Sequence, residues 1–450
     1  MRFAKATWLR TAAAVVAAFV IVSLLPAAGA GSESADFYVA LNGNDAWSGK
    51  LAAPNPAGTD GPFASLARAR NAVRALKSVG GPPTPLTVMI REGKYFLHDA
   101  LTFTNDDSGT AQAPITYRAY PGEHPVLSGG RRVTGWKTYR GQILVADLPD
   151  SKGGKGKARQ LFLNGKRQIR ARWPNLDPND PLYGGWLFMQ GPAEKGSIAA
   201  FQYVQGALPH HWAKPSEGEV EFYLGSGQWR STVPIQSIDE QSRTIRLTHP
   251  GVQFDVQPWY QITPFRANNL FYVVNLLEEL DQPGEWCFDS EEGRVYFWPS
   301  AGKLMATDEV EVPWQRNLID IDGASWLKIS GLTFTETMDG DNFHHEGVQG
   351  VGAMYPQANW QFGGDAVHLK NAEHCTIENN RFDAVGCNAI YLEGYNYRNV
   401  IRRNDISEAG ANGICLLGTL EKHPLFNRVE DNSIRRIGVL NKYVAGIFLG

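Results

Sequence analysis

The sequence predicts an all-β chain folded as a parallel β-helix, a solenoid with an N-terminal capping helix and an inserted antiparallel β subdomain. Two interleaved repeats carry that expectation. Asp365-Ala-Val-His-Leu369, Asn388-Ala-Ile-Tyr-Leu392, Asn412-Gly-Ile-Cys-Leu416 and Ala445-Gly-Ile-Phe-Leu449 follow one another at steps of 23, 24 and 33 residues. Between them run Cys375-Thr-Ile-Glu-Asn-Asn380, Asn399-Val-Ile-Arg-Arg-Asn404 and Asn427-Arg-Val-Glu-Asp-Asn432. Short alternating strands at a period in the twenties, with no helical segment between, mark stacked coils.

Each strand of the first series has apolar residues two apart: Val367/Leu369, Ile390/Leu392, Ile414/Leu416 and Ile447/Leu449. With a side-chain period of two these stack inward, and His368, Tyr391, Cys415 and Phe448 form an outward ladder. Asn380, Asn404 and Asn432 recur at turns, where stacked amides bond from coil to coil and Asn tolerates left-handed backbone. Trp326-Leu-Lys-Ile-Ser-Gly-Leu-Thr-Phe334 repeats the Cys375 series 48 residues earlier, a gap read as about two coils with an enlarged loop.

Along the chain, residues 1–30 read as a Sec-type signal peptide: Arg2, Lys5 and Arg10, an apolar run from Thr11 to Leu25, then Ala28-Gly-Ala30. Residues 31–130 hold the cap and first coils. Leu66, Ala69, Val73 and Leu76 are spaced for a helix, with Ser65 as its N-cap, and strands follow at 86–91, 95–97, 101–104, 115–119 and 126–128. The periodicity breaks over 131–306, where an Asn164-Gly165 hairpin and a second hairpin over 284–299 indicate an inserted antiparallel subdomain. The coil resumes over 307–450. It stops within the strand that ends at Leu449, without a cap, so the C-terminal coils read as truncated.

Composition narrows the partners. A net charge of −3 offers no field for nucleic acid, and outside the signal no run is long enough to stay in a membrane. Oligomeric state is left open. Four cysteines without a CxxC favour packed thiols over a zinc site, although Cys375 and Cys387 could pair in an exported protein. His344-His-Glu346 has ligand-like side chains but no third partner at set spacing, so neither metal nor cofactor is expected.

Tyr38-Val-Ala-Leu-Asn-Gly-Asn-Asp45 and Pro62-Phe-Ala-Ser-Leu-Ala-Arg-Ala-Arg70 resemble the start of pectate-lyase-like right-handed β-helix carbohydrate enzymes. Leu163-Asn-Gly-Lys-Arg-Gln-Ile-Arg-Ala-Arg-Trp-Pro174, Pro283-Gly-Glu-Trp286 and Tyr355-Pro-Gln-Ala-Asn-Trp360 resemble the β-helical glycoside hydrolases with an inserted β domain, a group with xylan- and fucoside-cleaving members. The resemblance implies a right-handed coil and a secreted or periplasmic enzyme acting on a cell-wall or hemicellulose-type polysaccharide.

Glycoside cleavage needs two carboxyls flanking the bond. Asp365 is the odd acid at the head of a column that continues as Asn388 and Asn412, and Glu408 lies at a turn two coils on, with Asp383 in reserve. At ~4.8 Å per coil, two coils lean toward inversion. Trp360, His368, Asn388, Tyr391 and Asn412 are candidate sugar contacts, while Glu393 reads as an ion-pair partner of Lys370. Two alternatives remain. A lyase or epimerase on this fold would need a basic residue beside a uronate, often with calcium held by carboxylates; a non-catalytic carbohydrate-binding fragment would need no acid at all.

Overall fold

The computed structural model describes residues 34–80, 83–154, 158–180, 184–223, 230–249, 264–339, 364–441 and 444–450. Three parallel sheets run through the coil. The first stacks Phe37–Val39, Leu86–Ile90, Ile115–Ala119, Leu327–Ser330, Thr376–Glu378, Val400–Arg402 and Arg428–Glu430. The second stacks Lys94–Phe96, Val126–Ser128, Thr333–Thr335, Arg381–Asp383, Asp405–Ser407 and Ser433–Arg435. The third stacks Leu101–Phe103, Ile319–Asp322, Val367–Glu373, Ile390–Tyr397, Ile414–Leu417 and Ile447–Leu449.

Register follows the repeat: Val367 pairs Ile390, which pairs Ile414, which pairs Ile447. The inward aliphatic columns, including Ile377, Ile401 and Ile406, form one continuous apolar core. The gap before the Cys375 series is shorter than expected. Lys328 pairs Thr376 directly, so those 48 residues are one coil, and the surplus falls in residues 340–363, outside the described residues.

Asparagine ladders close the turns. Asn404 Oδ1 accepts from the Asn380 amide at 3.1 Å, and Asn432 Oδ1 from that of Asn404 at 3.0 Å. A second ladder links Asn399 to Asn427. The left-handed residues are the ones just before the first ladder, Asn379, Arg403 and Asp431, at φ 55°, 53° and 56°. The ladder asparagines therefore serve through their amides and their burial, and not through left-handed backbone.

The helix Leu66–Ser78 starts where expected, with Ser65 Oγ accepting from the Arg68 amide at 3.1 Å. It buries Leu66, Ala69, Ala72 and Val73 on the first coils, but Leu76 is exposed. Between the second and third strands of the second sheet, the chain leaves the coil. Phe162–Leu163 and Lys166–Arg167 form the Asn-Gly hairpin, with φ of 51° at Asn164 and 73° at Gly165, both left-handed as a tight hairpin turn requires. A five-stranded sheet contains the second hairpin, Glu285–Asp289 with Arg294–Phe297. A seven-stranded sheet closes on itself where Leu270–Val274 pairs Glu219–Tyr223, around Phe201, Phe222, Phe265 and Phe271. The return strand Val310–Pro313 still belongs to the inserted sheets, so the coil resumes at Ile319, later than the sequence suggested.

Candidate functional site

The outer face of the third sheet gathers the charge. Asp320, His368 and Tyr391 stand in register on successive coils. Beside them Lys370 pairs Glu393. Alternation sends all of these outward while Ile319, Ile321, Val367 and Leu369 fill the core. His368 is held between carboxylates: Nδ1 lies 3.6 Å from Asp320 Oδ1, and Nε2 lies 3.0 Å from Glu393 Oε2. The second contact lacks hydrogen-bond alignment, so it is an ion contact. Tyr391 stacks on the imidazole with centroids 5.1 Å apart and planes within 6°. Lys370 Nζ reaches Glu393 Oε1 at 3.2 Å.

Burial would lower the His368 pKa, but Asp320, Glu393 and Asp365 outweigh it and raise it to about 9. His368 holds Glu393 down at about 2, against the opposing effect of burial, with Lys370 adding to it. At neutral pH the cluster is thus an imidazolium between carboxylates. Its contribution to stability is complete above the ordinary glutamate range and below the ordinary histidine range, and it fades as pH rises through about 9.

Asp365 is elsewhere than expected. It is 1% exposed and occupies a ladder: its amide donates to Asn317 Oδ1 at 3.2 Å, and its Oδ1 accepts from Asn388 N at 3.1 Å and Nδ2 at 2.8 Å. Asn388 Oδ1 in turn accepts from Asn412, and Asn412 Oδ1 from the Ala445 amide. Asn388 and Asn412 are fully buried, which corrects their expected role as sugar contacts: their amides are spent between coils. Burial lifts the Asp365 carboxyl to about 6, although His368 and the Asn388 donors pull it down. A ladder asparagine carries a donor where Asp365 has its second oxygen, so the neutral acid suits the ladder better than the anion.

Tyr391 points outward in register, yet it is 3% exposed and packs with Cys415, Leu417 and Phe448. Its expected sugar contact gives way to a supporting role beneath His368. Glu408 sits at φ 55° on the turn from the second sheet to the third, with Arg436 Nη2 2.5 Å from its Oε1. Asp383 bonds Arg381 at 2.6 Å and Ser407 at 3.1 Å. These two share a neighbour, Arg167, and do not join Asp365 on one open surface. Trp360 and His344-His-Glu346 lie outside the described residues. All four cysteines are free and buried, so Cys375 and Cys387 do not pair. Among the described residues, no three His, Cys, Asp or Glu side chains gather as metal ligands.

The sequence reading missed Asp320 because the 340–363 interruption hid the coil to which it belongs. Ile319-Asp-Ile-Asp322 carries the same alternation as Val367-His-Leu-Lys370 and was the available signal.

Comparisons agree with this architecture. Residues 317–447 match the family described as a right handed beta helix region, and residues 219–300 match the GH141 insertion domain. No curated protein matches the chain. A solved structure described as a glycoside hydrolase is 23% identical, with TM-score 0.72 over 90% of this chain and 74% of that one. A complex of XylC with xylose covers 91% of this chain and 56% of that one at 15% identity, but its TM-score of 0.38 is too low to bear on the fold. The chain therefore combines a right-handed β-helix with a GH141-type insertion domain, the architecture of the β-helical glycoside hydrolases with an inserted domain.

Proposed function

We propose that the chain is an exported glycoside hydrolase of cell-wall or hemicellulose-type polysaccharide, working on the outer face of the third sheet. The carrying observation is the placement of Asp320 and Glu393, 28% and 37% exposed and two coils apart, on either side of His368. The imidazole between them spaces the facing carboxyl oxygens by up to about 9 Å, on the side of inversion. Glu393, ionised throughout the neutral range, is the base that draws a proton from water. Asp320 relays to the leaving oxygen the proton held by the His368 imidazolium, and the proton that Glu393 takes from water restores that imidazolium. The GH141 insertion domain supports hydrolysis over elimination. So does His368 itself, because an imidazolium between two carboxylates is a poor base for a lyase. The helix Leu66–Ser78 is read as the cover of the first coil.

A different reading has one observation in its favour. Asp365, pushed up to about 6, and Glu393, held near 2, form a pair whose environments separate acid from base. Its difficulty is the burial of Asp365. Assay of Asp320→Asn, Glu393→Gln and Asp365→Asn on a panel of xylan- and fucoside-type glycans separates the two. Loss of about 100-fold or more in kcat is expected for the first two and not for the third. An unsaturated product absorbing in the ultraviolet would establish a lyase instead.

A further inference from the structure

We infer that the cleft between the inserted sheets and the coil is an anion-binding subsite that takes the carboxylate of a uronic acid residue. That the ligand is a glycan rests on the hydrolase reading, whereas the anion site stands on the chemistry of the cleft itself. A cavity of about 150 Å³ opens there, lined by Arg159, Arg167, Arg170 and Arg172 together with two acids, Glu221 and Asp339. Three of these arginines are accounted for. Arg159 lies 3.6 Å from both Glu219 and Asp339, and Arg170 lies 2.6 Å from Glu219. Arg172 donates to the Pro174 and Gly185 carbonyls and covers the Tyr272 ring at 3.7 Å.

Arg167 is different. Its Nε donates to Gln160 Oε1 at 3.0 Å, Nη1 to the Glu408 carbonyl at 3.4 Å and Nη2 to the Val385 carbonyl at 3.3 Å. All three acceptors are neutral. Among the described residues no carboxylate comes within ion-pair distance, and Glu408, Asp339 and Asp383 act on it only from further away. A guanidinium has five N–H donors, so each terminal nitrogen keeps one to offer. Burial pushes its pKa down to about 10, the mark of a cation short of counter-charge.

A ligand carboxylate would supply that charge and accept both remaining donors side by side. A neutral sugar would leave Arg167 unbalanced, so the cleft discriminates by charge. Gln168 and Asn441 in the wall offer amides to the hydroxyls of the same ring. The cavity has room for the carboxylate end of one sugar, with the rest of a chain running out along the coil.

The test is calorimetric titration of the Glu393→Gln protein, which carries no proposed base, with glucuronate, galacturonate, glucuronamide and glucose at low ionic strength. A uronate is expected to bind at least about tenfold tighter than glucuronamide, and Arg167→Gln is expected to abolish that difference. Equal binding of acid and amide, or no binding of either uronate, would overturn the inference. Should Arg167→Gln fail to fold, the acid–amide comparison in the parent protein decides alone. The two readings fail separately: hydrolysis of glycans without a uronate preference sinks the subsite, and a uronate preference without hydrolysis sinks the hydrolase.

Discussion

Asp365 shows how one atom changes the meaning of a residue. As an acid among asparagines it drew attention as a catalyst, and the structure sets it inside the ladder that those asparagines form. Its pKa, raised to about 6 chiefly by burial, has a definite sign for stability. The folded chain holds the proton more tightly than the unfolded one, so stability falls as pH rises from the ordinary aspartate range to about 6 and stays lower above. Asp365→Asn completes the ladder and removes that loss. Its melting temperature should therefore exceed that of the parent at pH 7 and match it near pH 4. A fall confined to pH 7 would show that attraction of the anion to His368 matters more than the ladder.

At the scale of the element, coil stacking depends on how closely backbones approach at the turn from the second sheet to the third. A Cβ at Gly410 would lie 1.9 Å from the Gly386 carbonyl oxygen, and one at Gly386 would lie 2.2 Å from that of Met338. Glycine is needed there for space, since neither residue has left-handed backbone. Gly410→Ala should destabilise by about 1–3 kcal/mol or more. Gly446→Ala, whose new methyl would sit at an ordinary 3.8 Å from Ile434, should stay close to the parent in denaturant titration. Equal effects would mean that the turn yields more easily than its geometry implies. These turns also explain the reach of the repeat in sequence. The amide ladders and aliphatic columns are local and periodic, so they could be read directly, whereas Gly386 and Gly410 keep the 24-residue step but their closeness shows only in the stacked coils.

For the whole molecule, the inserted sheets are tied to the coil by buried charge. Lys94, on the coil, pairs with Glu311 on the return strand and lies 3.0 Å from Glu336 at the turn after Thr333–Thr335. Both carboxylates are fully buried, and Ser128 Oγ donates to Glu336 at 2.7 Å. Burial and the nearness of Glu336 raise the Glu311 carboxyl to about 7, against the pull of Lys94. Because this acid is raised, the junction is most secure at low pH and loses stability as pH climbs from the ordinary glutamate range through about 7. Lys94→Met leaves two buried carboxylates without a cation and should cost about 3–5 kcal/mol, more at pH 8 than at pH 5. A thermal melting shift that is the same at both values would place the weak point elsewhere.

The coil is legible in the residues alone. Its apolar columns, turn asparagines, N-terminal helix and two hairpins follow from short-range periodicity and turn chemistry, which act between residues close in the chain or one coil apart. The sequence also named His368 and the Lys370–Glu393 pair. Which acids share a surface emerges only when the coils stack. Asp320 meets His368 across 48 residues, and Arg167 meets the turns at Val385 and Glu408 across more than two hundred. Burial is likewise a property of the assembled coil: it hides Asp365 and Tyr391, leaves Glu393 open, and encloses Arg167 with no carboxylate at ion-pair distance among the described residues. Such outcomes depend on desolvation and on charges brought together by stacking, and no local pattern of residues encodes either one.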